Sequence, residues 1–333
     1  MTRLLEREVS GASGPGPAPR RAPGQARKGM LVPILLQFGA MIGIGALVYA
    51  SAADWFARLN HDSEISGYVE QVEELPEHIR AEQLEVARAY NAHMPAGMLR
   101  DPYSETASTD ALAEDGAYRS YQQVLRVSDN GVIGELRYPR LGIGLPVYHG
   151  TSEEVISKGV GHLYGSSLPV GGPSTHAVLT SHSGLVRASL FTPLPEARLG
   201  DTFQVTVLGE THYYSVDRIE TVLPEQTQGL SIVTGQDYVT LITCTPTGIN
   251  SHRLLVRGVR VPAPADAGSY ALTGDGSGAG FPWWAVIFLG GSTATAYLLF
   301  APPRTVKARG PVAPRRAVPP GPEHPHDQEE GRA

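Results

Sequence analysis

Two apolar runs bracket this chain and constrain everything between them. The first, LVPILLQFGAMIGIGALVYASAA, covers Leu31 to Ala53 with Gln37 as its one strongly polar residue. The second, FPWWAVIFLGGSTATAYLLFA, covers Phe281 to Ala301 and carries no charge. A helix needs ~20 apolar residues to cross ~30 Å of hydrocarbon, and each run supplies that length. Charge follows the same division. Residues 1–30 hold six Lys/Arg against two acids, residues 302–333 hold six against four, and the remainder holds 15 basic and 27 acidic residues, a net of −12. Basic flanks before the first run and after the second place both termini in the cytoplasm and residues 54–280 outside. Trp283 and Trp284 then fall in the outer interfacial belt. An acidic exported region excludes a general nucleic-acid binder, which needs a basic face.

Ala50-Ser51-Ala52 fits a signal-peptidase site, but the apolar stretch exceeds the 7–15 residues of a signal core. An uncleaved anchor over 31–53 fits the length better. The run at 281–301, apolar all round and followed by basic residues, reads as a second transmembrane helix. The tails, 1–30 and 302–333, are rich in Pro, Gly, Ala and Arg without apolar periodicity and read as disordered cytoplasmic segments. Residues 54–120 form an N-terminal helical region. Leu84, Ala87, Tyr90 and Met94 recur at helical spacing, Pro95 and Gly97 end that helix, and MLRDPYSETASTDALAEDG reads as a surface loop. Residues 121–262 change period. VIGELRYPRL, HAVLTSH, DTFQVTVLG, THYYSVDRIETVL, DYVTLITC and RLLVRGVRV are β-branched and aromatic, with turn formers between them. Short strands so punctuated favour a barrel or sandwich. One short helix, TSEEVISKG, interrupts them, with Thr151 or Ser152 as cap and Glu153 and Glu154 near its start. Residues 263–280 are a flexible linker to the second span.

Cys244 is the only cysteine, which excludes an intrachain disulfide and a multi-cysteine zinc site. Most lone cysteines are small buried hydrophobes. This one ends a strand and enters the turn TPTG, where functional residues are commonly placed. Arg253 opens the next strand after the eight residues TPTGINSH. If the two strands form a hairpin, Cys244 and Arg253 face each other across the ladder. A cation there favours the thiolate, lowers the thiol pKa and can stabilise an oxyanion; the competing reading is an ordinary exposed arginine. His182, at the end of AVLTS, supplies the proton shuttle that thiol acyl transfer needs. His176, six residues earlier on the same strand parity, is its rival, and His252 has the opposite parity to Arg253. No H-E-x-x-H, P-loop or G-x-G-x-x-G occurs, so neither a metal nor a nucleotide cofactor is expected.

From LPVYHGTSEEVISKGVGHLYGSSLPVGGPSTHAVLTSHSGL through LITCTPTGINSHRLLVRG, over about 130–261, the chain resembles a class C sortase, the pilus-assembling kind. The motifs carrying the resemblance are T-x-H-x-G-L at 180–185, T-C-T-P at 243–246 and H-R-L-L-V-R-G at 252–258. The resemblance implies a mainly β fold: a closed sortase-type barrel of about eight strands with N-terminal helices, a lid loop and two flanking transmembrane helices. It implies that Cys244 attacks the Thr–Gly bond of an LPxTG-like sorting signal and that His182 moves the protons. Arg253 would hold the substrate carbonyl or its oxyanion. The acceptor would be a pilin lysine ε-amine, and the partners pilin or surface proteins bearing such signals. Asp101-Pro102-Tyr103 matches the family's Asp-Pro-aromatic lid motif, so Asp101 would meet Arg253 and Tyr103 would cover Cys244. Ser181, Ser183 and Thr247 stand where the family more often has other residues, which bears on substrate preference. With the Ala/Arg/Gly/Pro-rich composition, the resemblance implies a Gram-positive cell surface. The alternatives are a housekeeping sortase that anchors proteins to peptidoglycan, a non-catalytic tethered β-domain and a plain cysteine protease.

Overall fold

A computed structural model of the chain describes residues 25–93, 101–103, 116–264 and 279–301. Residues 1–24 and 302–333 of the tails, the end of the helix expected at Met94, Pro95 and Gly97, most of the loop over 98–116 and most of the linker lie outside the described residues; residues 25–30, expected to be disordered, are instead the first turns of a helix, since no proline falls among them.

The two apolar runs are helical. Helix α1 (Gln25–Glu74) carries the first, and α5 (Trp283–Phe300) the second. Both are long and apolar enough to cross a membrane. Large side chains such as Leu47 and Leu298 point away from the protein, as a lipid-facing surface requires. The helices run antiparallel: Gln37 Nε2 donates to Ser292 O (3.0 Å), and Trp55 Nε1 donates to Gly280 O (2.9 Å) at the other end. Trp284 packs on Trp55 and Phe56 there, with ring centroids 6.0 and 5.7 Å apart. A Cβ at Gly291 would press on Ile44 at 3.0 Å, the close backbone approach that small residues permit between apolar helices.

The expected break near residue 54 is absent. Helix α1 continues for roughly six further turns, to Glu74, because nothing from Asp54 to Glu74 breaks it until Pro76, whose ring disfavours helix at the residue before it. That continuation docks on the sheet. Tyr68 OH donates to Ile133 O (3.2 Å) and accepts from Leu208 N (2.8 Å), and Asp54 accepts from Ser189 N (2.6 Å). Helix α2 (Glu77–His93) follows, burying Leu84 and Ala87 as their spacing predicted. Short α3 (Gly116–Tyr121) precedes the sheet.

Eight strands close into one barrel: β1 (Val132–Tyr138), β2 (Ile143–His149), β3 (Val160–His162), β4 (Thr175–Thr180), β5 (Thr202–Val207), β6 (Glu210–Val222), β7 (Asp237–Thr245) and β8 (His252–Val261). Their order around the barrel is β1-β2-β3-β4-β7-β8-β6-β5. Pairs β2–β3 and β4–β7 are parallel and the others antiparallel. Inward residues such as Leu136, Val147, Leu179, Val205, Tyr214, Leu241 and Val256 are almost wholly excluded from solvent. Each such burial contributes roughly 1.5–3 kcal/mol. Gly258 is required by this core, since a Cβ there would lie 2.6 Å from the Phe203 ring. Helix α4 (Glu153–Lys158), capped by Ser152, links β2 to β3.

Candidate active site

The site lies where β4 and β7 end and β8 begins. The β7–β8 ladder sets Cys244 opposite Arg253 and Thr245 opposite His252, so the connecting loop is six residues, 246–251, because both strands reach one residue further than the pattern suggested. His182 lies two residues past β4. Its loop is pressed on the turn after Cys244: Ser183 Oγ donates to Cys244 O (2.9 Å), and any Cβ on Gly184 would collide with Thr247. Gly184 also takes a φ of +77°, open to glycine at little cost.

The segment 101–103 covers this end. Asp101 accepts two bonds from Arg253, from Nε at 2.8 Å and Nη2 at 2.7 Å. The pair is nearly buried on both sides, and its fork geometry is the strong form of a charged pair. The Tyr103 ring lies between the other groups, 4.9 Å beneath the Arg253 guanidinium and 5.9 Å from the His182 ring. Its hydroxyl donates to Ser181 O (2.6 Å) and accepts from Thr180 Oγ1 (2.7 Å). Tyr103 also packs on an apolar cluster that includes Leu163, Val178, Leu230 and Ile242. Pro102 is buried beside them.

Electrostatics correct one expectation. Cys244 is 6% exposed, and burial pushes its thiol pKa up. Arg253 pulls it down and Asp101 pushes it up again, with burial the largest influence. The thiol is therefore less acidic than usual, because burial outweighs the pull of Arg253, which Asp101 partly offsets. Arg253 is likewise no exposed arginine, at 8% exposure.

The rival histidine is placed elsewhere. His176 sits near the start of β4, at the far end of the barrel from Cys244. Its Nε2 bonds Thr240 Oγ1 (2.7 Å) and its Nδ1 bonds Ser231 O (3.0 Å), so both ring nitrogens are used in holding the fold. His252 bonds its neighbour Ser251.

Sequence reasoning treated Glu153 only as a helix-start acid. Its carboxylate meets His182 Nε2 at 3.0 and 2.9 Å, a contact across 29 residues that no local pattern reveals. The Thr180 hydroxyl that receives Tyr103 was equally invisible.

A thiol beside a guanidinium at one end of a barrel, with an imidazole on the adjoining loop, can carry acyl transfer through a thioester. The chain belongs to the sortase family of cysteine transpeptidases: the family model for the sortase domain matches residues 136–261, from within β1 to the end of β8, and the chain covers nearly the whole of solved sortases to which it is 40–43% identical. Within that family the solved structures it resembles include sortases C. It is 43% identical to sortase C-1 of Actinomyces oris, covering 56% of this chain and 99% of that one with a TM-score of 0.53. It is 40% identical to sortase C of Streptococcus pneumoniae (60% and 96% covered, TM-score 0.53) and 41% identical to a pilus-related sortase C of Group B Streptococcus (59% and 96%, TM-score 0.54). Sortase A of Streptococcus agalactiae matches at 31% over 117 residues, 34% of this chain; the chain spans about half of that relative, 47%.

Proposed function

We propose that this protein is a membrane-anchored, pilus-class sortase that cleaves an LPxTG-like sorting signal between Thr and Gly and joins the Thr to a pilin lysine. The observation that carries the class is the Asp101-Pro102-Tyr103 segment seated on Arg253 and His182, together with neighbours described as sortase C and as pilus-related.

In this reading the Cys244 thiolate attacks the Thr carbonyl carbon. Arg253 faces the developing oxyanion, the Thr–Gly C–N bond breaks, and His182 gives its proton to the leaving glycine amine. A lysine ε-amine then attacks the thioester, His182 accepts its proton, and the isopeptide bond forms as the thiolate departs. An unperturbed thiol is only a few per cent ionised at pH 7, so the reactive thiolate–imidazolium pair is a minority form. With Asp101 on Arg253 and Tyr103 over the site, the segment acts as a lid that must leave before substrate binds, lowering apparent affinity by the closed fraction. Helices α1 and α5 anchor the barrel outside the membrane with both termini in the cytoplasm.

A housekeeping role is the second reading, favoured by the match to a sortase A. Competition between a pilin lysine peptide and a cell-wall peptide amine decides. The pilus reading expects the acyl group on the lysine ε-amine; product on the wall amine alone overturns it.

A further inference from the structure

Helix α4 and the His182 segment are fastened into one unit. His182 N donates to Ile156 O (3.4 Å), Ser181 Oγ donates to Gly159 O (2.6 Å), and Ile156 is buried beneath. The helix therefore cannot shift without carrying the histidine. Its first residue, Glu153, presents both carboxylate oxygens to His182 Nε2 at 3.0 and 2.9 Å. The next residue, Glu154, turns to its own helix and reaches Lys158 at 4.0 Å. Two adjacent glutamates are thus sent to different partners by the roughly 100° between successive helix positions.

We propose that Glu153 is a positioning residue for His182, acting as the third member of a Cys–His–Glu arrangement; this rests on the transpeptidase reading above. A carboxylate only accepts, so Nε2 carries the hydrogen and the neutral ring keeps its lone pair on Nδ1. Nδ1 is then the nitrogen that exchanges protons with the leaving glycine amine and the incoming lysine amine. The logic is that of a hydrolase triad, in which the acid fixes tautomer and ring orientation. Stability does not explain the contact. Glu153 is 76% exposed, and pairs so exposed contribute little to stability. Nor does the contact belong to the lid: Glu153 on α4 and His182 just past β4 are tied to each other and not to 101–103, so the pairing persists when that segment departs. The two histidine–acid and arginine–acid pairs at this site therefore act in opposite senses. Asp101 restrains the resting enzyme, and Glu153 serves the working one.

The test uses the full chain in lipid nanodiscs with Asp101→Ala to open the lid, an LPxTG-type peptide and a lysine peptide acceptor. Glu153→Ala should lower kcat about tenfold, far less than the ~10⁴ of a buried triad acid because solvent screens this one, with KM for the sorting peptide within about twofold. Glu153→Gln, which keeps an accepting oxygen, should fall between, and Glu154→Ala should match the parent. In ¹⁵N-histidine spectra, Glu153→Ala should move the His182 ring signals away from the Nε2–H tautomer, which a loosened helix alone would not do. Unchanged kcat and unchanged ring signals in Glu153→Ala overturn the proposal. Absence of any thioester in the parent overturns the transpeptidase reading itself, so the two failures are distinct.

Discussion

The two ends of β7 and β8 carry nearly the same chemistry and differ in who supplies it. At the near end, Arg253 holds Asp101 and lies over Tyr103. At the far end, Arg260 lies 3.5 Å from Asp237 and over Tyr214 at 5.7 Å. Arg, Asp and Tyr recur, while the histidines are buried at the far end (His176, His212) and only half-buried at the near end (His182, His252). At the far end every member sits on a strand, and Asp237 also accepts from Gly172 N (2.9 Å) and Tyr214 OH (3.2 Å). Removing it unpicks the sheet's own closure. At the near end Asp101 and Tyr103 belong to no strand, and their ties are made through side chains. An arginine–aspartate pair is therefore no mark of function by itself. What distinguishes the near end is an acid that belongs to no strand of the barrel, beside the only thiol.

The comparison can be broken in four ways, in falling order of effect. Cys244→Ala should abolish peptide transfer, by at least about a thousandfold, because the nucleophile is irreplaceable; a chromatographic assay of joined product reads this, and retained transfer would move the chemistry away from the near end. Asp237→Ala should lower unfolding free energy by about 2–3 kcal/mol, since several buried donors lose their acceptor, while leaving Cys244 labelling unchanged; urea titration and thiol labelling together check it. Asp101→Ala should do the reverse, raising the rate of Cys244 modification by a methanethiosulfonate about tenfold, equivalent to ~1.4 kcal/mol of lid closure, with little change in the urea midpoint. Equal labelling of parent and variant would remove the lid from the account.

The smallest effect is one of pH at the far end. Burial first, then Arg260 and Arg88, pulls the His212 pKa down to about 4, while the unfolded chain keeps ~6.5. The unfolded state thus binds the extra proton first. Stability from this group is present above pH 6.5 and is lost as pH falls toward 4, by roughly 1 kcal/mol between pH 6.5 and 5.5. His212→Phe should flatten that part of a urea-midpoint profile; an unaltered slope would mean that His212 is not held neutral.

Much of this was legible in the sequence, for identifiable reasons. The spans announced themselves by length, six strands by β-branched runs, and the Cys244–Arg253 register by the short loop between two strands that had to pair. Strand β2 was missed because Pro146 argues against a strand; the structure tolerates it because β3 joins β2 only from Val147 onward. Strand β3, three residues long, carries too little pattern to read. The choice of His182 over His176 depended on which end of β4 meets Cys244, a matter of the parallel β4–β7 pairing. The raised thiol pKa and the Glu153 contact depend on groups brought together only by closure of the barrel.

The central claim is that Cys244 becomes acylated once the lid is out of the way. Mass spectrometry of the intact Asp101→Ala chain, quenched in acid after exposure to an LPxTG-type peptide, measures it directly. The account predicts an adduct equal to the peptide up to and including its Thr, mapped to Cys244 and discharged by a lysine peptide. Cleaved peptide with no adduct on Cys244, or an adduct formed equally well in Cys244→Ala, would contradict it.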